Sequence, residues 1–175
     1  MGTLTVDNLN LKGSGSVSSL GRILQVVQTA KTDTFTSSSS SFTDITGLSV
    51  SITPSSASSK VMVIVETNTS TASGNNAILR LLRGSTVILQ GPNQASGSEP
   101  GGEGFSSANG PGAIQFAGAY NWSFLDSPST TSATTYKTQF ANNQSSASPT
   151  IFINSLSSNS GEDGVSTITL FEVTT

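Results

Sequence analysis

The chain has 175 residues and a net charge of −3, with 10% charged and 34% hydrophobic residues and roughly a third Ser and Thr. Disordered chains usually combine high net charge with few β-branched residues, so this composition, with Val, Ile and Thr in alternating runs, argues for a folded all-β domain. The absence of Cys and His excludes thiolate and imidazole chemistry, from Ser-His-Asp and Cys-His catalysis to the common zinc sites. Seven scattered basic residues provide no electrostatic footprint for nucleic acid.

The first residues, MGTLTVDNLNLKG, lack the basic and apolar regions of a signal peptide, and Val6 stands where a myristoylation signal needs Ser or Thr. The longest apolar run, 61 to 65, is too short to cross a membrane. The expectation is a protein made inside the cell without a signal peptide or membrane insertion. Within TLTVDNLNL, the apolar residues Leu4, Val6, Leu9 and Leu11 are spaced as in a strand, and KGSGSVSSLG follows as a flexible linker. A short apolar strand on such a tether cannot bury itself alone. Residues 1–20 are therefore expected to form an attachment arm that adds to a neighbouring subunit or a larger assembly.

The rest, 21–175, is expected to be one β-sandwich head. Strands are predicted at 22–29, 42–53 with an interruption at Gly47, 60–68, 77–83, 86–90, 114–125, 134–141, 150–154 and 165–173, separated by Ser, Gly, Asn, Asp and Pro clusters. Leu48, Val50 and Ile52 alternate with Ser49, Ser51 and Thr53, the period of a half-buried strand, and Ser37 to Ser41 read as a solvated loop before it. The fold class is an antiparallel β-sandwich, a TNF-like jelly roll in particular.

Two regions are apolar on both strand faces. Val61, Val63 and Val65 oppose Met62 and Ile64; Ile78 and Leu82 oppose Leu79 and Leu81; Val87 and Leu89 oppose Ile88. An outer sheet face that is apolar needs a cover, so Met62, Ile64, Leu79, Leu81 and Ile88 are expected at a subunit interface. Residues 91–113 form a long Gly-rich stretch with no strand pattern, in which Phe105 and Asn109 are candidate receptor contacts. Phe116, Tyr120, Trp122 and Phe124 share one strand face and are read as core rather than as a sugar-stacking platform. The acidic residues are mostly single and at turns, so no carboxylate pair is specified for glycosidase chemistry. No enzyme activity, cofactor or metal is expected.

RILQVVQTAKTDTFTSSSSSFTDITGLSVSITPSSASSKVMVIV, SFLDSPSTTSATTYKTQF and VSTITLFEV, in this order, resemble virion structural proteins of tailed bacteriophages, including cyanophages. The resemblance implies a homotrimeric jelly-roll head used as a capsid decoration, cement or head-fibre protein. It also implies attachment through the N-terminal arm to other virion proteins, whether the major capsid protein or a tail or portal component. The alternative is a tail-fibre knob that recognises a host-surface glycan through 91–113. A free lectin or carboxylate glycosidase would need neither arm nor trimer.

Overall fold

The computed structural model describes residues 21–71, 76–91, 103–106, 116–142, 150–155 and 164–174, and the architecture is that of these residues. They form strands β1 (Ile23–Lys31), β2 (Phe35–Ser37), β3 (Thr43–Ile52), β4 (Lys60–Thr71), β5 (Asn76–Arg83), β6 (Thr86–Leu89), β7 (Glu103–Ser106), β8 (Phe116–Asp126), β9 (Thr134–Asn142), β10 (Ile151–Ile153) and β11 (Ser166–Val173). No helix occurs among the described residues, hence none long and apolar enough to span a membrane.

The strands make two antiparallel sheets. In the first, β4 pairs β8 along one edge, while its other edge is shared by β11 and β10; β1 flanks β11 and β2 flanks β10. In the second, the order is β3-β9-β5-β6, with β7 beside the first half of β5. Main strands in chain order switch sheets repeatedly, so that β1-β11-β4-β8 faces β3-β9-β5-β6, a path consistent with a jelly roll.

Between the sheets lies a core that includes Leu48, Ile52, Val63, Leu79, Tyr136, Phe140 and Leu170. Each fully buried aliphatic side chain stabilises by about 1.5–3 kcal/mol relative to exposure. Phe35 of β2 meets Phe140 edge to face, with centroids 5.5 Å apart. The interruption expected at Gly47 is a bulge, because the β3–β9 register skips between Asp44 and Ser49 and Gly47 has φ 85°. The bulge lets Ile45 and Leu48, three residues apart, both point inward. At the β5–β6 hairpin Gly84 supplies φ 57° at the first turn position while Ser85 keeps an ordinary φ, the pattern of a type II′ turn.

Buried polar groups tie the elements together. Asn154, with φ 60° and 1% exposed, donates through Nδ2 to the Lys31 and Asp33 carbonyls at 2.7 and 3.1 Å and accepts the Ser166 hydroxyl at 2.6 Å. Its backbone N–H donates to the Asn68 carbonyl, and its own carbonyl accepts from Gly164 N–H. One residue thereby joins the ends of β1, β4, β10 and β11. Across the sandwich, Asp126 of β8 accepts Arg83 Nη1 at 2.8 Å and the Tyr136 hydroxyl at 2.7 Å from the opposite sheet. Burial, followed by the Asp126 carboxylate, pushes the Tyr136 phenol far above its ordinary range. Serines cap the loop that follows β2: Ser37, expected in a loop but the last residue of β2, accepts Ser39 N–H through Oγ, and Ser39 Oγ accepts Ser41 N–H.

Three expectations change. Leu79 and Leu81, expected at an outer interface, are 0% and 1% exposed and belong to the core. Arg80 occupies the opposite face with Ile78 and Leu82, and it is the charged residue that turns outward. Ile88, expected on the same interface, is half-buried and packs against the core, whereas Val87 is 39% exposed. The Gly-rich stretch contains a strand after all: β7, with Phe105 paired to Ala77.

Candidate functional site

The first sheet places four apolar residues in one row on its outer face. The register pairs Val26 of β1 with Phe171 of β11, Phe171 with Met62 of β4, and Met62 with Leu125 of β8. Strand alternation turns all four away from the core, because their neighbours Val27, Leu170, Val63 and Phe124 point into it. Val26 is 52% and Leu125 45% exposed, while Phe171 and Met62 between them are half-buried. With strands about 4.8 Å apart, the row spans about 14 Å from β1 to β8.

The next rows are more polar. Gln28, Thr169, Ile64 and Ser123 follow in register, then Ala30, Thr167, Glu66 and Asn121. Here side chains bond across strands: Gln28 Nε2 donates to Thr169 Oγ1 at 2.8 Å, and the Thr167 hydroxyl donates to Glu66 Oε2 at 3.0 Å. On the other side of the row, Ile23 and Leu24 are 57% and 37% exposed near the bulge where β1 begins. The apolar surface is therefore concentrated at one end of the sheet and bordered by hydrogen-bonded polar rows.

That end is held rigidly. Arg22 N–H donates to Thr174 Oγ1 at 2.9 Å and Thr174 N–H to the Arg22 carbonyl at 3.0 Å, so the chain enters the fold beside the end of β11. On the inner face, Glu172 is wholly buried and accepts Gln25 Nε2 at 2.6 Å, Ser55 N–H at 2.7 Å and Ser55 Oγ at 2.6 Å. Burial pushes this carboxyl up, but the bonds from Ser55, Gln25 and Ser59 outweigh it and hold the pKa at about 2. The loop between β3 and β4 is thereby pinned beneath the row.

Of the residues singled out from sequence, Met62 and Ile64 lie on this outer face, and Leu79, Leu81 and Ile88 do not. Leu4, Val6, Leu9, Leu11 and Asn109 lie outside the described residues. Phe105 is placed by the backbone of β7 on the second sheet, away from the row. Val26, Leu125 and Phe171 were not singled out; a signal existed in their apolar character at outward positions, but only the pairing register unites them. Tyr120, Trp122 and Phe124 are partly buried and pack against the core, as the shared strand face predicts. Among the described residues no three acidic side chains gather as a metal ion would require.

No family model matches the chain, and no curated protein matches it. It is similar to the structure of infectious bursal disease virus Gx strain, with 14% identity over 95% of this chain and 42% of that chain and a TM-score of 0.34. It is also similar to the crystal structure of the infectious bursal disease virus VP2 subviral particle, with 16% identity over 97% and 42% and a TM-score of 0.36. This chain thus spans less than half of either matched chain, and a likeness of this degree says nothing about function.

Proposed function

We propose that this chain is a structural, non-enzymatic protein of a virus particle. In this reading it is the head of a homotrimeric capsid decoration, cement or head-fibre protein of a tailed phage, held to other virion proteins by residues 1–20. The observation that carries the reading is the exposed row of Val26, Phe171, Met62 and Leu125 on a rigid sheet. An apolar outer face of an antiparallel sheet needs a cover, and closed symmetric association supplies one without leaving further surface open. The sequence resemblance adds support, because its three stretches are the ones the fold gathers here: Val26 and Met62 lie in the first, Leu125 in the second and Phe171 in the third.

The arm and the head have separable roles. The linker that precedes Gly21 joins the fold beside Thr174, at the end of the sheet that bears the row. Removing residues 1–20 should abolish binding to particles while the head remains folded and trimeric in light scattering. Met62→Asp, which sets a charge in the row without touching the core, should yield folded monomers. A truncated protein that still binds particles would refute the arm's role, and a Met62→Asp protein that remains trimeric would refute the row as the subunit contact.

A further inference from the structure

The second sheet carries a cluster of polar and charged side chains on its own outer face. In register across three strands stand Asp44 of β3, Gln139 of β9 and Arg80 of β5. Gln139 Nε2 donates to Asp44 Oδ1 at 2.6 Å, and Lys137 Nζ donates to Asp44 Oδ2 at 2.7 Å. Both oxygens of this carboxylate are thus engaged by other groups. Arg80 Nε donates to Gln139 Oε1 at 2.8 Å, Nη1 reaches Gln90 Oε1 at 3.3 Å, and the guanidinium carbon lies 3.8 Å from the Phe42 ring centroid.

A guanidinium has five N–H donors. Two are used here, and the rest, one on Nη1 and both on Nη2, have no acceptor among the described residues. Because Arg can only donate, Gln90 must turn its oxygen toward it, and the Gln90 amide NH₂ is left beside the guanidinium without an acceptor among the same residues. Phe42 covers one face of the cation, so an anion is met best along the guanidinium edge, where two parallel N–H bonds match a planar carboxylate. Among the described side chains, with Lys137 paired to Asp44, the cluster keeps one unbalanced positive charge, in a chain whose net charge is −3.

From this we infer that the Arg80–Gln90 edge binds the carboxylate of an acidic saccharide. One guanidinium matches a monoanion better than a phosphate dianion. The same sheet face offers what a sugar uses: neutral hydroxyls in the Ser51–Thr135 pair, bonded at 2.7 Å and about 13 Å along β9 from Gln139, and a small apolar flank at the exposed Val87, which pairs with the buried Leu82. The inference concerns the opposite sheet from the apolar row and stands whether or not the chain is a virion protein.

The test uses the full chain in calorimetric titration with a galacturonate trimer, a neutral galactose trimer and a glutamate tripeptide. The uronate should bind and the neutral sugar should not. Gln90→Glu leaves Arg80 on Phe42 and supplies an internal carboxylate; it should weaken uronate binding on the order of ten-fold while melting and circular dichroism stay as in the parent. Arg80→Lys, which loses the planar fork, should weaken it as well. The inference is overturned if the uronate does not bind, if Gln90→Glu binds it as the parent does, or if the neutral trimer binds equally. Equal binding of the glutamate tripeptide would overturn the saccharide assignment in favour of an acidic peptide.

Discussion

Replacing Asn154 separates hydrogen bonding from backbone strain at one position. Its side chain makes three bonds, to the Lys31 and Asp33 carbonyls and from the Ser166 hydroxyl, and its φ is 60°. A hydrogen bond contributes about 1 kcal/mol net, so losing three costs about 3 kcal/mol. In Asn154→Ala the left-handed backbone adds about 1–2 kcal/mol, giving a total of about 4–5 kcal/mol. Asn154→Gly loses the same bonds without that steric term but adds about 0.5–1 kcal/mol of unfolded-chain entropy, and should be destabilised by about 3.5–4 kcal/mol. Glycine should therefore be the more stable of the two, against the usual order for a folded position. Urea titration followed by tryptophan fluorescence reads both values, and Trp122 on β8 reports on the sandwich. If alanine proved as stable as glycine, or if both fell within about 0.5 kcal/mol of the parent, the role assigned to Asn154 would be wrong.

Two further outcomes follow from the packing and the charges. The Glu172 carboxyl is held at about 2, below its ordinary 4.5, so its contribution is fully present above about pH 4.5 and is lost as pH falls through 2. Asp33, hydrogen-bonded by Lys31, and Asp44, where the bonds from Lys137 and Gln139 outweigh burial, act in the same direction. Glu172→Gln should melt below the parent at pH 7, with the gap narrowing toward pH 2; a gap that stays constant would refute the assignment. Gly164→Ala would place a Cβ 2.7 Å from Asn68 Cβ, where Asn68 Nδ2 already holds the Val165 carbonyl at 2.6 Å. Overpacking there should cost about 1–3 kcal/mol, a drop of about 2–12 °C in melting temperature, and an unchanged melting curve would show that the contact yields freely.

How much could be read in advance depended on whether one face of a strand differed from the other. In β3 the serines oppose Leu48, Val50 and Ile52, and even the break at Gly47 was visible. In β4 the two faces are Val-Val-Val against Met-Ile, and the valines are the inner set. In β5 both faces are apolar, so alternation alone could not say which is inside. Arg80 could have decided it, since a charge between Ile78 and Leu82 marks that face as the outer one. β2 and β7, of three and four residues, have too few positions to show a period and are strands because neighbours pair with them. The apolar row was least legible, because Val26 and Phe171 meet only through a register between strands at opposite ends of the sequence. Residues remote in sequence carry no local signal of being neighbours.

The place of β11 in the first sheet has a consequence for biosynthesis. It lies between β1 and β4, yet it is the last of the three to leave the ribosome, and its pairing of Ile23 with Val173 closes almost the whole described chain. Until then β1 has no strand partner among the described elements, and the first half of β4 has a vacant edge on that side. The nascent chain must therefore keep Val63 and Val65 from premature pairing for most of its synthesis, and then finish the sheet in one late step of high contact order. Chains interrupted before Ser166 would retain those edges and should aggregate more readily than chains that carry β11.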